Sequence, residues 1–150
     1  MSKRRQLNTA KIVVEVRRLQ LEQARAEVQR RTQVLEHAQA REQQAFTHLN
    51  AALDGWRETL CTADGLSPVL AWNGAGAVAS ARTVHLRTQQ DTEDATAHIF
   101  EKRTAMLSCE RRAGEAKDRL KQARRRFARD LEERQASSIE DRYLSDGDRS

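Results

Sequence analysis

"LSPVLAWNGAGAVAS", residues 66–80, is an uncharged stretch in a chain in which 33% of residues are Asp, Glu, Lys or Arg. It holds the single proline, Pro68, together with Gly74, Gly76 and Trp72. Two readings compete for it: a pocket where chemistry takes place, or the bend where a long helix reverses. The sequence on either side decides between them.

A chain of 150 residues has the length of one ordinary domain. Its composition is not that of a globule with a full core. Aromatic residues make up 4%, glycine and proline number six and one, and the mean hydropathy is −0.83. Ala, Arg, Gln, Glu and Leu dominate, the profile of long helices and coiled coils. High charge also suits disorder, but regular apolar spacing favours helix over most of the chain.

Reading every seventh residue from Leu7 gives Leu7, Val14, Leu21, Val28, Leu35, Glu42, Leu49 and Trp56. The column three positions on is Ala10, Arg17, Ala24, Arg31, Ala38, Ala45, Ala52 and Thr59. A second segment repeats the pattern with Thr92, Ile99, Met106, Ala113, Leu120 and Phe127 beside Ala95, Lys102, Cys109, Ala116, Ala123 and Asp130. Large residues in one column and small ones in the other allow close helix approach, building a thin seam without a cavity. The expected fold is therefore all-α, a long antiparallel two-helix coiled-coil hairpin.

The stop and start signals divide the chain into a hairpin over residues 1–138 and a flexible tail over 139–150. Helix one is expected over about 9–63, stopped by Asp64-Gly65, and helix two over about 78–137, with the tip at about 64–77 between them. At about 1.5 Å per residue these are rods of roughly 80–90 Å. Within the tip, Ser67 reads as an N-cap with Pro68 in the first helical position, and Asn73-Gly74 as a stop. "PVLAW" then forms one helical turn, with Trp72 folded back on the helix ends as the expected tip contact. Cys61 near the tip and Cys109 far along the second helix are expected to lie about 45 Å apart and to remain reduced thiols.

No run approaches the roughly 18 apolar residues that span a bilayer. "KIVVEV" at 11–16 is interrupted by Glu15 too early to be a signal-peptide core. Residues 1–14 are basic and lack acidic residues, as in a transit peptide, yet Leu7 and Val14 already belong to the seam. A cytoplasmic protein is expected.

Charge is segregated. Residues 1–31 carry +6 and residues 111–131 carry +6, which leaves the remainder at −7 within a total of +5. The hairpin places both basic segments at its open end, where Arg4, Arg5, Arg17 and Arg18 neighbour Arg124, Arg125, Arg126 and Arg129. Like charges on adjacent helices repel, and a partner of negative potential relieves that repulsion. Nucleic acid, an acidic membrane surface and an acidic channel in another protein all qualify.

Chemistry finds no foothold. The chain contains no phosphate-binding, dinucleotide-binding, zinc-protease or nucleophile-elbow motif, and "GAG" at 74–76 lacks a preceding strand and a third glycine. His37, His48, His85 and His98 are scattered, and Glu132-Glu133 and Asp91, Glu93 and Asp94 lie on helix expected to be exposed. No enzyme activity, metal or cofactor is expected.

The C-terminal run "LEERQASSIEDRYL" (131–144) carries a Glu-Arg pair, Glu133-Arg134, followed by Ile139-Glu140-Asp141. With that run, the heptads and the basic termini, the chain resembles the FliJ/YscO family, the small coiled-coil stalk proteins of flagellar and virulence type III secretion. The resemblance implies paired terminal helices inserted into a hexameric secretion ATPase, coupling to a membrane export gate, and a link to substrate chaperones. It places the eight named arginines in the ATPase ring and Trp72 away from it, with the protein peripherally associated with the membrane apparatus. The bend is longer and more apolar than a minimal one, and export-gate contacts are left unassigned.

Two other readings stand beside this one. A pI of about 9.8 suits a helical hairpin that binds nucleic acid, although few aromatics are present for base stacking. A homo-oligomeric scaffold would pair its helices between chains instead of within one.

Overall fold

The computed structural model of the chain describes residues 2–61, 65 and 67–149. These form two helices, α1 (Lys3–Leu60) and α2 (Pro68–Gly147), with no strand among the described residues. The fold is the all-α, two-helix hairpin that the heptads call for. Its packing divides into two compact units: unit 1 is Met1–Arg25 with Ala105–Ser150, and unit 2 is Ala26–Thr104.

In unit 2 the helices run antiparallel. Phe46 on α1 meets His85 on α2 with ring centroids 5.6 Å apart, and ten residues later the Trp56 Nε1–H donates to the Ala71 carbonyl at 3.1 Å. Ala38, Ala45, Val78, Ala81, Ala95 and Ile99 are buried. Every one of them belongs to the two heptad columns or to their continuation toward the start of α2. Alanine supplies most of this core, so the helices approach closely and the buried apolar area per turn is small.

Unit 1 is built the same way. Arg25 on α1 reaches Glu110 on α2 at 3.7 Å, and Leu7, Ala113 and Ala116 are buried. Nearer the N-terminus, Gln6, Thr9, Ala10 and Val13 line a shallow solvent-open groove with Ala116, Arg119, Gln122, Ala123 and Arg126.

α1 begins earlier than the expected residue 9. Ser2 caps it, with the Arg5 amide donating to the Ser2 Oγ at 3.2 Å and the Gln6 amide to the Ser2 carbonyl at 3.0 Å. A serine immediately before Lys3 satisfies amides that a helix start leaves free, so residues 3–8 join the helix. At the other end α1 closes at Leu60, while the expected end at residue 63 and Asp64 lie outside the described residues. Gly65 has φ +91°, the left-handed backbone that the glycine stop requires.

α2 begins ten residues before the expected start. Ser67 and Pro68 behave as expected: the Ala71 amide donates to the Ser67 carbonyl at 2.9 Å, and the Leu70 amide reaches the Ser67 Oγ at 3.5 Å. The helix then runs on through Asn73-Gly74 instead of stopping there. The reason is packing. The columns through Thr92 and Ala95 continue backward as His85, Val78 and Ala71 and as Thr88, Ala81 and Gly74, all half-buried or buried. Gly74 faces Trp56, and a Cβ built at position 74 would lie 2.5 Å from the indole Cδ1. The glycine thus admits an indole into the seam, and tertiary contact overrides its local preference to end a helix.

Trp72 is 81% exposed and does not fold back on the helix ends; Trp56 is the half-buried tryptophan at this end of the seam. The expected tail is likewise helical, since α2 continues through Gly147. Between Leu131 and Ser145 neither glycine nor proline intervenes, and Glu, Arg, Ala and Leu favour helix. Arg134 also pairs with Asp130 one turn back at 3.1 Å.

Candidate functional site

The eight arginines singled out from the sequence all fall in unit 1, on its two antiparallel helices. Unit 1 carries +7 and unit 2 carries −2, so segregation of charge follows the division of the fold. Regular heptads hold the two basic runs side by side, which fixes their arginines on rigid backbone.

The arginines differ in what they touch. Arg4 and Arg5 are exposed in the first turn of α1, where nearby carboxylates are absent from the helix start. Arg17 occupies the small-residue column and is half-buried, its stem lying along the seam while its guanidinium donates to the Gln20 Oε1 at 3.0 Å. Arg18 is held between two carboxylates, Glu15 at 2.9 Å and Glu22 at 3.1 Å. Its hydrogen bond to Glu15, then the charges of Glu15 and Glu22, raise its pKa above the ordinary arginine value. Arg18 therefore offers a partner less net positive charge than its exposure suggests.

Arg124, Arg125, Arg126 and Arg129 are exposed, and among the described residues no carboxylate pairs with them. With Arg4 and Arg5 they are the exposed cations of the set without a carboxylate partner among the described residues. Arg126 shares the groove wall with Arg119, one heptad earlier, over a floor of Ala10, Val13, Ala116 and Ala123. Arg119 was not among the expected residues; its spacing of seven from Arg126 is the signal that finds it.

Trp72 lies in unit 2, remote in sequence from these arginines, and stands on the exposed side of the first turns of α2 with Val69 and Leu70, 68% and 57% exposed. Three large apolar side chains in four positions form an apolar patch on an otherwise polar helix.

Among the described residues no three His, Cys, Asp or Glu side chains gather as a metal site, and Cys61 and Cys109 are free thiols. Among the described residues no helix is long and apolar enough to cross a membrane. What unit 1 offers is a positively charged pair of rigid helices with an alanine-floored groove. No protein family, curated protein or solved structure matches the chain.

Proposed function

We propose that this protein is a non-enzymatic coiled-coil stalk of a bacterial type III secretion apparatus, flagellar or virulence. Its basic helix pair inserts into the hexameric export ATPase and couples that ring to the export gate. The observation that supports this best is the coincidence of charge and architecture: the N-terminal part of α1 and the C-terminal part of α2 lie together in the unit that carries +7. A ring with an acidic lumen lowers the repulsion between these helices, and rigid helices transmit displacement better than loops do. Likeness of residues 131–144 to the FliJ/YscO family gives the same assignment. On this reading the protein is cytoplasmic and peripherally attached to the membrane apparatus, and substrate chaperones are further partners.

Steady-state ATP hydrolysis by the cognate secretion ATPase, with and without the protein at moderate and high salt, tests the assignment. Stimulation that weakens with salt is the expected result. Absence of both stimulation and co-elution removes the stalk reading and makes salt-dependent nucleic-acid binding the next measurement.

A further inference from the structure

In unit 1, α1 is apolar on two opposite faces. At about 100° per residue, Leu7, Val14 and Leu21 point to the seam, whereas Ile12, Val16 and Leu19 fall on a line about 180° away. These three aliphatics are 64%, 45% and 51% exposed. Their spacing of four and three is that of a helix-docking stripe, repeated over successive turns. Arg5 continues the stripe toward the N-terminus, and Glu15 and Glu22, both paired with Arg18, border it on one side. Residues 1–25 carry +5.

A surface of opposite character is present in the same chain. Every described residue from Leu131 to Arg149 is exposed, including Ile139 at 67% and Tyr143 at 81%, one turn apart on α2. Glu132, Glu140 and Asp146 flank that pair, and residues 131–150 carry −3. The two surfaces agree in length. Residues 131–147 span about 25 Å at about 1.5 Å per residue, the same as residues 3–19 of α1.

We propose that the C-terminal part of α2 docks on the Ile12–Val16–Leu19 face of a second copy of this chain. A chain's own α2 cannot supply the contact, because it is continuous to Gly147 and packs against the opposite, seam-facing side of α1. Each copy presents one stripe and one C-terminal helix, so two copies satisfy each other reciprocally about a two-fold axis. Apolar side chains meet at the centre and carboxylates of the C-terminal helix meet Arg5 at the N-terminal end of the stripe, within a segment of net positive charge, the arrangement of a stable interface. The inference is independent of the secretion reading.

Sedimentation equilibrium of the full chain provides the test. The wild-type protein is expected to show a mass near twice 17.1 kDa at tens of micromolar, with association weakening as salt rises. Val16→Glu and Ile139→Glu lie outside the seam and are each expected to weaken association by about tenfold or more with helicity unchanged. An equimolar mixture of the two variants regains a dimer, since one stripe and one C-terminal helix in the mixed pair remain intact. A wild-type chain that stays monomeric at about 200 μM, a dimer indifferent to both variants, or a mixture that stays monomeric overturns the proposal. So does a monomer that sediments with anionic vesicles and loses this in Val16→Glu, which assigns the stripe to lipid.

Discussion

Gly74 on α2 leaves open the space that the Trp56 indole of α1 occupies: a Cβ there would stand 2.5 Å from Cδ1 and 3.2 Å from Cγ. The same indole donates to the Ala71 carbonyl at 3.1 Å, one turn before the glycine. A methyl at position 74 gains about 1 kcal/mol of helix propensity but forces the indole from its seat, a clash of about 1–3 kcal/mol that also endangers the hydrogen bond. Gly74→Ala is expected to lower stability by about 1–2 kcal/mol. Gly76→Ala, with nothing within 4 Å, is expected to raise it by up to about 1 kcal/mol. Urea unfolding followed by circular dichroism measures both, and equal signs for the two variants would refute the seating of Trp56.

His85 stands in the column that also holds Val78, Ile99 and Met106, its ring 5.6 Å from that of Phe46, and its Nδ1 is buried with no hydrogen-bond partner among the described residues. Leucine fills the same position without a polar atom to desolvate. His85→Leu is expected to stabilise the protein by about 1 kcal/mol, read as a rise in the urea midpoint at constant slope.

Glu27 accepts hydrogen bonds from Arg30 at 2.6 Å and Arg31 at 3.2 Å, and these two arginines, Arg30 foremost, lower its pKa below the ordinary 4.5. The folded chain therefore prefers the ionised carboxylate. That contribution to stability is present above the ordinary carboxylate pKa and is lost as pH falls through the lowered value. Thermal melts of wild type and Glu27→Gln are expected to differ slightly at neutral pH and to converge on acidification. A difference that grows on acidification would contradict the assignment.

Reversing Arg124, Arg125 and Arg126 to glutamate is expected to abolish ATPase binding and export while leaving helicity unchanged, because all three are exposed and lie outside the seam. Arg18→Glu is expected to have a smaller effect, since Glu15 and Glu22 already compensate Arg18. Pull-down with the ATPase and a secretion assay read both. Wild-type export by the triple variant would end the stalk reading.

Much of the hairpin is legible in the sequence because a heptad seam is a long-range property written at every turn. Glu42, Arg17 and Lys102, polar residues within the columns, still take half-buried seam positions. Gly74 is not legible for the opposite reason: its local chemistry signals a stop, and only the partner helix shows that Trp56 needs the space. The columns continued back through His85, Val78 and Ala71 are the signal that the helix runs on. The exposed helix after Leu131 has no seam to announce it and rests on local propensity alone. At the basic helices, the arginines were plain in the sequence. Their inequality was less so, although Glu15 and Glu22 at three and four positions from Arg18 forecast its pairing.

The seating of Trp56 also bears on sliding. Most of the unit 2 seam repeats alanine against a larger side chain, so displacing one helix by seven residues would restore nearly the same contacts at little cost. At Trp56 it would not. A shift of one heptad brings Ala81 or Ser67 to the place of Gly74, and either carries a Cβ where the indole must lie. A single aromatic thus fixes the register of helices whose remaining contacts are nearly interchangeable, and replacing it with leucine should leave the hairpin folded but free to slip.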